Sequence, residues 1–302
     1  MVHPHQHSHA PKTYNRAFLI GTSLNIGFVL VEAWFGAISH SLALIADAGH
    51  NLSDVLGLLL AWAASYLVQR PPNRKYTYGL RRSSILAALL NAILLLLAMG
   101  GIAWEAIRRL SDPSPVAGGT VILVAGIGVV INTITALLFM SGRERDLNIR
   151  GAFLHMAADA LVSVGVVLAG IAILLTGWLW LDPVISLIIV VVIIFGTWNL
   201  FREALDLILD GVPKQIEPIA VRTFLEDLPG VTRVHDLHIW AMSTTQTALT
   251  AHLVMPEGCV SDRFFTDTSA SLQTYFGIDH STLQIETGHP DYPCHLESES
   301  HV

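Results

Sequence analysis

The chain has 302 residues, of which 52% are hydrophobic and only 14% charged, and its formal net charge is −7. Soluble domains carry about 25% charged residues, so this composition, with a mean hydropathy of +0.55, excludes an ordinary soluble enzyme. It implies a polytopic membrane protein.

In chain order, residues 1–14 contain VHPHQHSHA, four histidines in alternation. This stretch is too short and polar to fold, and it reads as a flexible cytoplasmic tail that collects metal weakly. The first apolar run, residues 16–38, has no small-residue cleavage site and includes Asn25 and Glu32, so it reads as a span and not a cleaved leader. Further runs at 41–68, 83–107, 116–140, 151–177 and 183–205 each reach the roughly 20 residues that a bilayer requires. Six transmembrane helices are therefore expected within a domain of residues 15–210. The run Arg70-Pro71-Pro72-Asn73-Arg74-Lys75, the stretch Ser111-Asp112-Pro113-Ser114-Pro115 and Leu181-Asp182-Pro183 mark breaks between spans.

Loop charge orients these spans. The second-to-third loop holds Arg70, Arg74, Lys75, Arg81 and Arg82, and the fourth-to-fifth holds Arg143, Arg145 and Arg150. The first-to-second and fifth-to-sixth loops have no Lys or Arg, and only Arg108 and Arg109 flank the third-to-fourth. The positive-inside rule then puts both termini in the cytoplasm, and the expected location is the inner (plasma) membrane.

Residues 211–302 change character, with 4 basic against 12 acidic side chains. An acidic cytoplasmic tail disfavours nucleic acid and suits cations. Cys259 and Cys294 both fall here, on the reducing side, so no structural disulfide is expected. A helical stretch (IEPIAVRTFLEDLP), two strand-like runs (VTRVHDLHIWAM, TQTALTAHLVMP), a second helical stretch (SDRFFTDTSASLQTYFG) and a last strand (STLQIET) follow in order. The order α-β-β-α-β predicts a ferredoxin-like α/β domain with helices on one face.

Chemistry concentrates in two spans. In IADAGHNLSD, His50 and Asp54 are four residues apart, on one helix face and about 6 Å apart along the axis. In AFLHMAADA, His155 and Asp159 repeat that spacing. Two packed helices, each presenting one imidazole and one carboxylate, would bring four ligands to one point, as tetrahedral zinc requires. Asp47 shares the face but lies about 10.5 Å from Asp54, so it either tunes His50 or lies on the ion path. Asn25, Glu32, Asn91 and Asn132 read as interhelical hydrogen-bonding groups. Zinc takes neutral imidazole and ionised carboxylate, so loading metal expels protons and protonation expels metal. A closed four-ligand site and the lack of an HExxH sequence argue against hydrolysis and for no catalytic cofactor.

In the tail, strict alternation along the strands would put His235, Leu237 and Ile239 on one face of the first strand, and His238 and Trp240 on the other. His252 shares a face with Thr250 and Val254, and Glu286 with Gln284, Thr282 and His280. An in-register hairpin then sets His235 opposite His252, with Glu286 nearby. His238 and Trp240 read as packing.

IADAGHNLSD, the second His-x-x-x-Asp, six spans and the tail's VHDLHIW together resemble the cation diffusion facilitator family over about residues 15–295, most nearly its bacterial zinc exporters. The resemblance implies a homodimer with one transport site per protomer, formed by His50, Asp54, His155 and Asp159. It further implies zinc as substrate, protons as counter-ion, and export from the cytoplasm for zinc homeostasis. A nitrogen ligand at position 50 favours zinc over harder ions and leaves cadmium and cobalt plausible. Some members hold a second exposed metal in the second-to-third loop. Here NRKYTYGLRRS has no Asp or His, so that site is expected to be absent, and its Arg82 is a candidate partner for Asp210. The resemblance also implies a regulatory zinc site at His235, His252 and Glu286, completed by His280, Cys294 and either His289 or His295. Relatives close to this type carry two terminal cysteines where HPDYPCHLE has one. The rival readings are a membrane metalloenzyme with an open metal position and a membrane-anchored metal sensor without transport.

Overall fold

The computed structural model describes residues 26–140, 147–258, 261–292 and 294–296. The N-terminal histidine run, Asn25 and Cys259 lie outside them. Among the described residues the helices are α1 (Ile26–Ile38), then α2 (Leu42–Val68), α3 (Ser83–Ser111), α4 (Gly118–Met140), α5 (Leu147–Thr176) and α6 (Leu181–Ile208). The smaller elements that follow are α7 (Pro218–Glu226), β1 (Arg233–Ala241), β2 (Thr247–Val254), α8 (Asp262–Phe276) and β3 (Ile278–Glu286). Four helices, α3 to α6, are long and apolar enough to cross a membrane. α2 has 27 residues but carries Asp47, His50 and Asp54 in its first half. Two of the predicted breaks fall in the connections before α3 and α4, and the third, Leu181-Asp182-Pro183, forms the first turn of α6.

The chain forms two compact units. One gathers residues up to 59 with 91–198, and the other gathers 60–90 with the chain from 199 onward. In the first, Phe28, Leu44, Leu95, Met99, Val121, Val166 and Val190 build the core between helices. Leu97, Leu123, Leu161, Leu175 and Phe195 point outward, the arrangement expected where the surrounding solvent is lipid. Small residues let helices approach closely. A Cβ at Gly128 of α4 would fall 2.8 Å from the Phe28 ring, and one at Gly170 of α5 would fall 2.9 Å from Ile122.

A buried carboxylate fixes the start of α2. Asp182, in the first turn of α6, accepts from Ser41 Oγ at 2.5 Å, the Leu42 amide at 2.8 Å and the Ala43 amide at 3.4 Å. These amides belong to the first turn of α2 and have no intrahelical acceptor. Supplying one from another helix caps α2 and ties α2 to α6. Pro183 follows Asp182 in the first turn of α6, where its missing N–H costs nothing.

In the second unit β1, β2 and β3 form one sheet in that order, β1 antiparallel to β2 and β2 parallel to β3. α8 supplies the crossover that the parallel pair needs. Its ends are well signalled: Ser261 caps the N-terminus through the Phe264 amide, and Gly277 at φ 69° closes the C-terminus. Val221 and Leu225 of α7 and Leu272 of α8 pack on Leu237, Ile239, Leu249, Ala251 and Leu253, which makes one sheet face the core. α-β-β-α-β is thus as expected. Arg82 and Asp210 form an ion pair, joining the α2–α3 loop to the residues after α6.

One expectation is corrected. His235 does not share a face with Leu237 and Ile239. β1 carries a bulge between His235 and His238, with Asp236 at φ 50°. The extra residue reverses the alternation, so Val234 faces the core before the bulge and Leu237 and Ile239 face it after. His235 therefore lies on the face opposite the helices.

Replacing Asp182 by Ala leaves two amides and a hydroxyl without their acceptor, and each unsatisfied buried group costs about 1–3 kcal/mol. We expect Asp182→Ala to lower the thermal midpoint in detergent by several degrees, and Asp182→Asn, which keeps one acceptor oxygen, to lower it less. Equal midpoints for wild type and Asp182→Ala would refute the capping role.

Candidate metal sites

The first cluster grows from helical spacing. Asp47, His50 and Asp54 lie along one face of α2, while His155, Asp159 and Ser163 lie along one face of α5. The helices bring these faces together. His155 Nε2 stands 3.1 Å from Asp54 Oδ2, and His50 Nε2 stands 3.4 Å from Asp159 Oδ1. Within each helix the pairs are His50–Asp54 at 3.9 Å and His155–Asp159 at 3.6 Å. Each imidazole thus meets the carboxylate of its own helix and that of the other.

These spacings suit one ion. Ligands at about 2.0–2.1 Å from tetrahedral zinc are about 3.3 Å apart, and the four contacts span 3.1 to 3.9 Å. His50, Asp54 and His155 each offer an atom within 4.8 Å of the others, and Asp159 reaches both histidines from the buried side. The cluster is asymmetric: Asp159 is 3% exposed, whereas Asp54 and His155 are 38% and 40% exposed. Asp159 Oδ2 is buried without a hydrogen-bond partner and faces His155 Nε2 at 3.6 Å.

Asp47 stands apart from the four. Its Oδ2 accepts from Ser163 Oγ at 3.0 Å, and it is fully buried. Glu32, also fully buried, accepts from Asn51 Nδ2 at 3.2 Å. The sequence reading missed Asn51 and Ser163. Ser163 lies one turn beyond Asp159 on α5, and that spacing was the available signal.

The second cluster lies on the sheet face opposite the helices. His235 and His252 are register partners with ring centroids 5.2 Å apart. Glu286 joins both, its Oε2 at 3.3 Å from His235 Nε2 and its Oε1 at 2.9 Å from His252 Nδ1. Cys294 Sγ lies 3.6 Å from His252 Nδ1. All four offer atoms within 4.8 Å of one another, and His252, Glu286 and Cys294 line a cleft of about 870 Å³ that His289, Tyr292 and His295 also border. At Cys294 a backbone hydrogen bond at Leu296 lowers the thiol pKa, but desolvation and the carboxylates of Glu286 and Asp236 outweigh it and raise the thiol above its usual value. A metal there would have to displace that proton.

His280 does not join this cluster. It is the third residue of β3, six positions before Glu286, about 20 Å along a strand. Its ring instead meets that of Tyr78 at 5.8 Å. Asp236 is the residue the sequence reading missed. The bulge turns it toward His252 Nε2 at 3.5 Å and His238 Nε2 at 2.9 Å. His238 is thus held by Asp236, and Trp240 lines a separate cavity of about 500 Å³ with Tyr76, Tyr78, Arg81, Arg82 and Met242.

Comparison with known proteins agrees with this architecture. Residues 18–209 match the cation efflux transmembrane domain, and residues 213–288 match the cytoplasmic domain of cation efflux proteins. A cadmium, cobalt and zinc/H(+)-K(+) antiporter of Bacillus subtilis is 35% identical over 286 residues, 93% of this chain and 92% of its own. The zinc transporter ZitB of Escherichia coli is 35% identical over 300 residues, 98% of this chain and 94% of its own. The metal cation efflux system protein CzcD of Cupriavidus metallidurans is 36% identical over 291 residues, 96% of this chain and 90% of its own. Paired His-x-x-x-Asp helices, an α/β domain with a His–His–Glu–Cys cluster and matches that run nearly end to end have one common explanation: the chain belongs to the cation efflux family, the cation diffusion facilitators.

Proposed function

We propose that this protein exports zinc from the cytoplasm across the inner membrane as a secondary metal–proton antiporter, with His50, Asp54, His155 and Asp159 as the transport ligands. The observation that carries this reading is the meeting of two imidazoles and two carboxylates from α2 and α5 at spacings that suit one tetrahedral ion. The names of its relatives, which include zinc, cadmium and cobalt as cargo and H(+) and K(+) as counter-ions, support the same class. In this reading it is a transporter and not an enzyme.

Each cross-helix pair is a proton–metal exchanger. Without metal, a protonated imidazole neutralises the facing carboxylate. Zinc needs both partners deprotonated and replaces those protons, so binding releases them and acidification expels the ion. With basic loops facing the cytoplasm, Asp54 and His155 are the ligands nearest the cytoplasmic ends of α2 and α5. They are also the more exposed ones, which supports a site open inward. Alternating access would then carry the same four ligands to the other side.

In the C-terminal domain we infer a regulatory zinc site formed by His235, His252, Glu286 and Cys294, in a homodimer. Its two imidazoles, carboxylate and thiol fit zinc's preference for nitrogen and sulfur, and Asp236 would orient His252 as carboxylates do for metal-bound histidines.

Two outcomes are expected. In liposomes under an imposed pH gradient, wild type should move zinc in the direction opposite to the proton flow. Asp54→Ala and Asp159→Ala should each reduce that flux at least about 100-fold, since even outer partners of a metal site matter 10–100-fold. Wild type that folds and binds zinc tightly but carries no flux would favour a sensor instead. Separately, the His235→Ala/His252→Ala double variant should keep basal flux but lose its stimulation by cytoplasmic-side zinc. An unchanged stimulation curve would refute the regulatory site.

A further inference from the structure

We propose that Glu32 and Asp47 form a proton-relay site, distinct from the four metal ligands, through which protons reach the transport site from the extracytoplasmic side. This rests on the antiport reading above. It concerns two buried carboxyls that the metal chemistry does not use.

Both residues are 0% exposed. One oxygen of each has a neutral donor: Asn51 Nδ2 at 3.2 Å for Glu32 Oε2, and Ser163 Oγ at 3.0 Å for Asp47 Oδ2. The other two, Glu32 Oε1 and Asp47 Oδ1, have no protein donor, although the two carboxyl groups interact with each other. The remaining titratable groups acting on the pair are Asp159 of α5, which acts on both, and His50 of α2, which acts on Asp47. No Lys or Arg is among them. Two carboxyls buried next to each other, with one imidazole nearby, favour sharing a proton over both ionising. A proton held between them is a donor for their orphaned oxygens.

Position gives the pair its direction. Along α2, Asp47 precedes His50 by three residues and Asp54 by seven, about 4.5 Å and 10.5 Å toward the end of the helix away from the basic loop. On α5, Ser163 lies one turn beyond Asp159 in the same sense. The pair therefore occupies the outer side of the ligands, while the exposed ligands, Asp54 and His155, lie on the inner side. A proton arriving from outside would bind the pair and pass to Asp159 or His50, with the Ser163 hydroxyl, both donor and acceptor, beside the path. It would occupy the ligand that the departing metal vacates, and the pair would take its next proton from outside. Protons and metal thus approach the ligands from opposite faces.

The test separates the proton-loaded half of the cycle from the metal-loaded half. Purified Glu32→Gln protein in liposomes is assayed for zinc uptake driven by a pH gradient, and for zinc–zinc counterflow at equal pH on both sides. Counterflow needs no net proton movement, and its retention also reports a folded protein with an intact metal path. We expect gradient-driven uptake to fall at least about tenfold, in line with the 10²–10⁴-fold typical of a lost proton-transfer group, while counterflow stays within about twofold of wild type. Asp47→Asn should show the same loss of gradient-driven uptake. A parallel fall in both assays for Glu32→Gln, or undiminished gradient-driven uptake in either variant, overturns the relay. Absence of gradient-driven uptake in wild type would instead overturn the antiport reading itself.

Discussion

The membrane part of this protein is governed by the cost of holding ionisable side chains in a medium that does not solvate them. Five carboxylates there each have a specific answer to that cost. Asp182 lies among the amides that begin α2, Asp54 and Asp159 lie against histidines, and Asp47 and Glu32 lie against small polar donors and each other. Because each partner comes from a different helix, the same contacts that keep the charges tolerable also determine which helices pack and in what register. Close approach at Gly128 and Gly170 is the steric counterpart, letting α4 come near both α1 and α5.

The crossed arrangement of the His–Asp pairs has a functional consequence. If each histidine were satisfied by the carboxylate four residues along its own helix, α2 and α5 would be independent of the state of the site. Here the shortest contacts run between helices, at 3.1 and 3.4 Å. Exchange of protons for a divalent ion would therefore alter the bonds that join α2 to α5. That is the kind of local change able to bias a packing rearrangement, and it ties ion identity to helix position without any additional device.

The C-terminal domain solves a different problem. Among the described residues, a three-stranded sheet with helices on one face leaves the other without helices, and on that face polar side chains can gather without disturbing the core. The bulge at Asp236 is what allows β1 to serve both purposes. Leu237 and Ile239 enter the core while His235, only two residues earlier than Leu237, faces the opposite side, and the extra residue itself becomes a carboxylate partner for His252. A regular strand would have placed His235 among leucines, where an imidazole without partners is unfavourable.

The amino-acid sequence by itself determined what depends on local repetition. Apolar runs long enough for a bilayer, breaks at Pro-rich stretches, the order of helices and strands, and two His-x-x-x-Asp pairs all follow from spacing along one element, because helix and strand periods are set by the backbone alone. The pairing of Arg82 with Asp210 was also expected from opposite charges at the ends of two spans. Tertiary structure alone decided the rest. Whether Asp54 meets His50 or His155 depends on how two helices pack, and whether His280 reaches Glu286 depends on the length of β3. Asp236 joined the cluster through a bulge that no alternation pattern announces. Glu32 and Asp47 became a facing pair only because α1 and α2 lie together. Contacts between elements remote in sequence carry no periodic signal, and those contacts are where the chemistry of this protein is assembled.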